Sequence, residues 1–247
     1  MVSIPTSITV NRSSVATTVT IAAAATTIVL PVGCECKSRP PIGPTTSPTS
    51  YNQLEGLEYA IQKHDFVHRG GEFEDFNVEF FKTAPLIQSG VTTCIGFRHY
   101  PEEVPISIYG RSPIRCDYIA INHRGYFIPP MTGEYVFSTL NVDDMVCLWL
   151  GDSAYNGKYT RANASLIHPL SEEASTKKYR AVLTAGVHYP FRLILANAQG
   201  GASLWLTVTG PDGTVLLSKD VDSSSCFIQH SLSGASPPFQ PFGQETL

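Results

Sequence analysis

The sequence predicts an all-β protein, an antiparallel β-sandwich with long loops between its strands. Three observations carry that reading. Between Leu54 and Ile228 the apolar residues recur in short alternating runs broken by Gly, Pro and Asp. No stretch holds a helical period for three turns. The run Met145-Val-Cys-Leu-Trp-Leu150 is apolar at consecutive positions, the mark of a central strand buried between two layers. Composition agrees: of 247 residues, 43% are apolar and only 15% charged, which argues against disorder and coiled coil.

The elements follow in order. Residues 1–33 are rich in Ser, Thr, Ala and Val with one basic residue, Arg12. Their most apolar part, Thr20 to Gly33, is too short and too rich in Thr to span a membrane, and no basic start leads directly into it. This segment reads as a Ser/Thr-rich linker or an atypical leader. Residues 34–230 form the body, opened by the proline-rich stretch Ser38 to Ser50. Its predicted strands are Leu57/Tyr59/Ile61, Phe76/Val78/Phe80, Ile106/Ile108, Tyr118 to Ile121, Tyr135/Phe137, Met145 to Leu150, Arg192 to Leu195, Leu204 to Val208 and Thr214 to Leu217. Trp149 and Trp205 lie in alternating apolar strands and are expected in the core, while Arg161 and Arg192 are expected on solvated faces or in local pairs. Residues 231–247 read as a Pro/Ser/Gly-rich tail. The whole looks like one module of a longer extracellular protein.

Charge and cysteines narrow the function. Lys plus Arg number 17 against 21 Asp plus Glu, for a net charge of −4, and no basic block offers nucleic acid or an anionic membrane a grip. Neutral ligands fit better. Six cysteines (Cys34, Cys36, Cys94, Cys116, Cys147, Cys226) contain no Cys-x-x-Cys pair, so disulfides and an extracellular location are the expected use. Cys34 and Cys36 are too close to bridge each other. Two glycosylation tripeptides, Asn11-Arg12-Ser13 and Asn163-Ala164-Ser165, agree with secretion.

Catalytic signatures are missing. The histidines (His64, His68, His99, His123, His168, His188, His230) are scattered, without a His-Glu-x-x-His helix, and there is no Gly-x-Ser-x-Gly elbow or phosphate-binding glycine loop. A glycosidase needs two carboxylates facing each other across a sugar bond, which adjacent aspartates cannot supply, and nothing singles out Glu58, Glu134 or Asp152 as a partner. The protein is expected not to be an enzyme.

The candidate site is a different use of carboxylates. Asp143 and Asp144 open the Met145 strand, where successive side chains point to opposite faces. Both can serve one ion only if the backbone is distorted, and otherwise they are a solvated strand-edge pair. The loop Asn197-Ala-Gln-Gly-Gly201 adds an amide oxygen and glycines that let carbonyls turn inward, or is an ordinary hairpin loop. An inventory of oxygens suits calcium, a hard ion that takes six to eight of them. Tyr155, Asn156, Lys158 and Tyr159 are candidates for the rim, where an aromatic face can stack on a sugar.

Several segments together carry a family likeness: Gly56-Leu-Glu-Tyr-Ala60, the hairpin Gly125-Tyr-Phe-Ile-Pro-Pro-Met-Thr-Gly-Glu-Tyr-Val-Phe-Ser-Thr139, the pair Asp143-Asp144, Gly151-Asp-Ser-Ala154, Lys158-Tyr-Thr-Arg-Ala-Asn-Ala-Ser-Leu166, Asn197-Ala-Gln-Gly-Gly-Ala-Ser-Leu204 and Pro211-Asp-Gly213. From about Cys34 to Cys226 the chain resembles the GLEYA domain of fungal adhesins, a protective-antigen-like β-sandwich related to the flocculins and epithelial adhesins of yeasts. Tyr159 stands where that family usually has Trp. The Gly56–Ala60 motif itself reads as strand and packing residues rather than as site.

The resemblance implies a calcium-dependent lectin. A cis peptide between Asp143 and Asp144 would turn both carboxylates to one ion. Asn197 and the carbonyls of Gln199 and Gly201 would complete the metal set, and Asp143, Asp144, Asn197, Ala198, Gln199, Gly200, Tyr155 and Tyr159 would contact the ligand. The implied partners are glycans of the terminal galactose, mannose, glucose or N-acetylglucosamine class, bound by a monomeric domain acting multivalently on a cell surface, with no nucleic acid and no membrane insertion. The resemblance also implies a bridge from Cys34 or Cys36 to Cys226, and Cys94 with Cys116 is a further candidate pair. The alternatives are a structural or protein-binding sandwich whose loop calcium only rigidifies, and an ancillary domain of a carbohydrate-active enzyme.

Overall fold

The alternating runs fold as strands. A computed structural model describes residues 7–12, 15–20, 53–70, 73–100, 103–172, 174–223 and 226–246, in two units, Met1–Pro31 and Val32–Leu247. In the first, β1 (Ser7–Arg12) and β2 (Val15–Thr20) pair antiparallel with Ser7 opposite Thr20 and Arg12 opposite Val15. The segment read as linker or leader thus holds a hairpin, built from the β-branched Ile, Val and Thr of both strands.

The second unit is the expected sandwich. Its strands are β3 (Gln53–Glu55), β4 (Leu57–Lys63), β5 (Leu86–Thr92), β6 (Gly96–His99), β7 (Ile119–Phe127), β8 (Gly133–Asp143), β9 (Met145–Leu150), β10 (Leu166–Pro169), β11 (Lys177–Leu183), β12 (Tyr189–Asn197), β13 (Ala202–Thr209), β14 (Val215–Leu217) and β15 (Phe227–Ser231). One antiparallel sheet of eight strands runs β10-β9-β12-β7, after which β7 pairs with β4 along one half and β15 along the other, with β5 and β3 at the edges. The second sheet runs β11-β8-β13, and β13 then pairs with both β6 and β14. Inward-facing Phe127, Phe137, Phe191, Phe227, Leu193, Leu195, Leu204 and Leu206 fill the space between the sheets. Gly56-Leu-Glu-Tyr-Ala60 does lie in strand and core, with Leu57, Tyr59 and Ala60 fully buried.

The eight-stranded sheet is buried on its outer face as well. Phe73, Phe76, Val78 and Phe81 from one loop, with Ala154 and Tyr159 from another, pack on Met145, Cys147, Trp149, Ile194 and Ala196. This second cover explains why β9 is apolar at consecutive positions. The expected strand Phe76/Val78/Phe80 is instead a 3-10 turn, Val78–Lys82. Asn77 caps it, its Oδ1 accepting from the Glu79 N–H at 2.9 Å, and Val78 and Phe81, three apart, turn onto the sheet together.

The Pro/Ser/Gly-rich stretch is docked on the domain through residues 236–246. Tyr126 O–H donates to the Pro237 carbonyl at 2.7 Å, Phe239 packs on Tyr126 and Tyr155, and Glu245 is 1% exposed. Arg192 departs from its expected solvated face for the same reason. It is fully buried and donates to Glu245 Oε2 at 2.6 Å, while Arg124 reaches Oε1 at 2.7 Å. Arg192 also donates to the Asn122 Oδ1 at 2.9 Å and stands 4.2 Å from the centre of the Tyr159 ring. Burial, with the neighbouring Arg192 charge, pulls the Arg124 guanidinium below its usual range, against Glu245 and Glu58.

The Cys94–Cys116 pairing is not formed. Cys94 is disulfide-bonded, but Cys116 keeps a thiol that donates to the Gly200 carbonyl at 3.8 Å. Cys94 precedes Gly96, which pairs with Trp205 within β13, whereas the Cys116 thiol lies at Gly200, before that strand begins. Cys34 and Cys36 lie outside the described residues. Cys147 is a buried thiol in mid-sheet, pushed by desolvation up to about 12.

Two stability predictions follow from these buried groups. Glu245→Gln removes the anion between two buried guanidinium groups and should cost about 3 kcal/mol or more in urea unfolding, whereas Glu134→Gln, which breaks an exposed pair with Arg180, should fall within measurement error. His123 is completely buried, and desolvation lowers it from 6.5 to about 4. Below pH 6.5 the unfolded chain then binds a proton that the folded one refuses, so stability is full above that pH and falls toward pH 4. Unfolding measured across this window should lose up to about 3 kcal/mol of its pH dependence in His123→Gln.

Candidate functional site

The aspartates lie where the chain changes sheets. β8 ends at Asp143 in the five-stranded sheet, where Asp143 pairs with Ser203, and β9 begins at Met145 in the eight-stranded one. The Asp143–Asp144 peptide is cis. A second crossing lies beside it, since Asn197 ends β12 in one sheet and Ala202 begins β13 in the other. The two are laced together: Asp144 N–H donates to the Ala196 carbonyl at 3.0 Å, and Ala198 N–H to Asp144 Oδ2 at 2.6 Å.

Burial and hydrogen bonding fix the remaining side chains. Asp143 is 9% exposed, Asp144 3%, and Asn197 and Ala198 are fully buried. Asn197 donates from Nδ2 to the Cys116 carbonyl at 2.7 Å, while its Oδ1 is buried with no hydrogen-bond partner. Gly200 turns at φ +103, a conformation other residues disfavour. A Cβ on Gly201 would lie 2.0 Å from the Tyr100 ring, so glycine is what lets that ring lie against the loop.

Two residues that sequence reading missed complete the site. Tyr100 O–H donates to Asp143 Oδ2, and His68 Nδ1 meets Asp144 Oδ1 at 2.6 Å. The His68 ring stacks on Phe73, 5.0 Å between centres, and its backbone N–H donates to Gln199 Oε1 at 3.2 Å while the Gln199 amide returns a bond to the His68 carbonyl. Both lie in irregular segments with no periodic pattern to mark them.

Asp143, Asp144, Asn197, Ala198, Gln199, Gly200 and Gly201 are therefore brought together. Tyr155 and Tyr159 are not. β9 runs from Met145 beside the aspartates to Leu150, roughly 17 Å away at strand rise, and both tyrosines follow that far end. Tyr159 is fully buried against Trp149 and beneath Arg192, and Tyr155 packs on Tyr126 and Phe239.

The donors fit calcium in kind. Among the described residues no three His, Cys, Asp or Glu side chains converge as a metal set, so an ion here must draw on amide and carbonyl oxygens too, which suits a hard ion and not zinc. The unpartnered Asn197 Oδ1 is an oxygen whose burial costs energy until something pairs with it. The protein partners of Asp144 each take one lone pair of an oxygen that has two.

Residues 119–210 match the family profile of the GLEYA domain. Over that span, a little over a third of its length, the chain resembles a GLEYA domain. The match begins with β7 and closes just after β13, so it takes in both crossings. Flocculation protein FLO10 of Saccharomyces cerevisiae is 30% identical over 106 residues, 39% of this chain and 9% of that protein, and flocculation protein FLO1 is 32% identical over 108 residues, 40% of this chain and 7% of that protein. The chain thus matches less than a tenth of these relatives. The A domain of epithelial adhesin 6 from Candida glabrata, solved with Galβ1-3GlcNAc, aligns at a TM-score of 0.58 and 17% identity, covering 79% of this chain and 96% of that one. The PA14 domain of an antifreeze protein aligns at 0.52 and 13%, covering 76% and 96%. These two share the sandwich fold of this chain.

The crowding at Gly201 is testable. Gly201→Ala must drive Tyr100 off the loop and break its bond to Asp143, and should lower stability by about 1–3 kcal/mol in chemical unfolding. A variant as stable as the parent would show that this contact does not form.

Proposed function

We propose that this GLEYA-like domain is a non-enzymatic, lectin-like adhesin module at the cell surface, and that it binds glycans through a calcium ion at the two sheet crossings. The observation that carries the reading is the buried Asn197 Oδ1 without a partner, at the same crossings as two carboxylates. Asp143, Asp144 and Asn197 would hold the ion, with the carbonyls of Gln199 and Gly201. Bound calcium would supply open coordination positions for vicinal sugar hydroxyls.

The chain's own residues do the rest. Gly200, with open space where a side chain would stand, keeps the approach low beside the Tyr100 ring, so a sugar can come up to the crossings against that ring. Gln199, clamped to the His68 backbone, fixes the height of the loop. Tyr100, 43% exposed, takes over from Tyr155 and Tyr159 as the aromatic surface for the apolar face of a sugar. The resemblance to flocculins supports the cell-surface setting. The Galβ1-3GlcNAc ligand of the adhesin 6 structure puts terminal galactose first among galactose, mannose, glucose and N-acetylglucosamine. A shallow wet site gives single-sugar affinities of about tens of micromolar to millimolar, and many copies on a wall raise the avidity.

Both Asp144 oxygens already have protein partners, which favours, as the second reading, a crossing held together without any ion. Calorimetry separates the two. Calcium is titrated into chelator-stripped protein and the four sugars are then added with and without it. Sugar heat that needs calcium and vanishes in Asp143→Ala supports the lectin. Absence of calcium heat in a folded protein sinks the metal bridge and leaves the aspartates a structural crossing.

A further inference from the structure

The C-terminal segment has the anatomy of a bound peptide. After β15 the chain turns through residues 232–235, all exposed, with Leu232 66% exposed. From residue 236 to 246 it lies on the outer face of the eight-stranded sheet without forming a strand. It is fastened at separated points. Ser236, Phe239 and Glu245 are buried, while Pro237, Pro238, Pro241, Gln244 and Thr246 stay exposed.

The receiving surface is built for those anchors. Phe239 enters between Tyr126 and Tyr155, with ring centres at 5.3 and 5.1 Å. The backbone of this stretch is held by side chains of the domain: Tyr126 O–H donates to Pro237 and Tyr155 O–H to Pro238, at 2.7 and 3.4 Å, and Asn156 Oδ1 accepts from Gln240 N–H at 2.9 Å. Arg124 stacks on Phe242 at 3.5 Å. Glu245 then reaches a pocket in which each carboxylate oxygen meets a different guanidinium, Arg124 and Arg192, and its N–H donates to the Lys82 carbonyl at 2.9 Å. The Gly243 backbone passes so close that a Cβ there would lie 2.8 Å from the Ala84 carbonyl.

We propose that the outer face of the sheet is a peptide-binding groove ending in a carboxylate pocket, and that residues 236–246 are its resident ligand. The ligand class is an extended segment with Pro-Pro-Phe at one end and a glutamate six residues after the phenylalanine. Two cationic walls make the charge of that glutamate the main determinant, because a neutral replacement leaves guanidinium groups desolvated and uncompensated.

The test keeps the whole chain through folding. A protease recognition sequence is placed in the exposed turn 232–235, the folded protein is cut there, and a fluorescent synthetic peptide of residues 235–247 is added. Support requires that the cut tail remain bound through gel filtration at micromolar concentration, that the labelled peptide exchange with it, and that a peptide carrying Glu245→Gln compete at least about 30-fold more weakly. Three results overturn the proposal: a tail that leaves and is not replaced by peptide, a cut domain that unfolds and is not recovered by excess peptide, or a Glu245→Gln peptide that competes as well as the parent. Replacing Gln244, an exposed position, gives the control peptide, whose competition should be unchanged.

Discussion

A row of four residues across one sheet sets the terms for half of this molecule. Glu58, Arg124, Arg192 and Trp149 stand side by side on β4, β7, β12 and β9. Two arginines directly opposite each other repel, and neither reaches bulk water here. Glu58 answers one of them from the end of the row at 2.8 Å. The other needs a second anion and somewhere to place its remaining donors, and the cover of the sheet provides them: Glu245 supplies the charge, the Ala154 carbonyl accepts from Nε at 3.2 Å, and Tyr159 offers its ring face. The loop after β9, the segment before β5 and the C-terminal segment all meet over this row and bury it.

That cover makes the sheet a middle layer, and a middle layer is a stiff support. β7 and β12 are buried along almost their whole length, with aromatic residues packed on one side and the Trp149 cluster on the other. The site hangs on the ends of these strands at Asn197 and, through β9, at Asp144. A loop such as Asn197–Gly201 gains precision from what it is attached to. Here it is tied to the neighbouring crossing by Ala198 N–H on Asp144 and by Asp144 N–H on the Ala196 carbonyl.

Much of this was readable in the residues. Alternation at period two marked β4, β8 and β13, the unbroken apolar run marked β9 as central, and the adjacent aspartates and the Asn-Ala-Gln-Gly-Gly loop marked the crossings, because each is a local pattern. What escaped depends on distant partners. Arg192 read as solvated because its neutralising glutamate is 53 positions away. Tyr159 read as a rim residue because nothing local shows that it is roofed by Arg192 and floored by Trp149. The tail hid three anchors among prolines, glycines and serines, whose abundance signals a loop whether or not it is docked. His68 and Tyr100 are single residues in irregular chain, and only the fold brings them to the aspartates.

Residues 64–70 and 73–84 touch both halves of the structure. At one end His68 contacts Asp144 and holds Gln199 through its backbone; at the other the Lys82 carbonyl receives Glu245 N–H. Between them Phe73, Phe76 and Phe81 cover the sheet. This part of the chain therefore caps the apolar strip, seats the C-terminal segment and steadies the Asn197–Gly201 loop. Its place explains how Ala198, Gly200 and Gly201 can be so small: a loop with almost no side-chain contacts of its own keeps its shape by leaning on Gln199 and on the segment beside it.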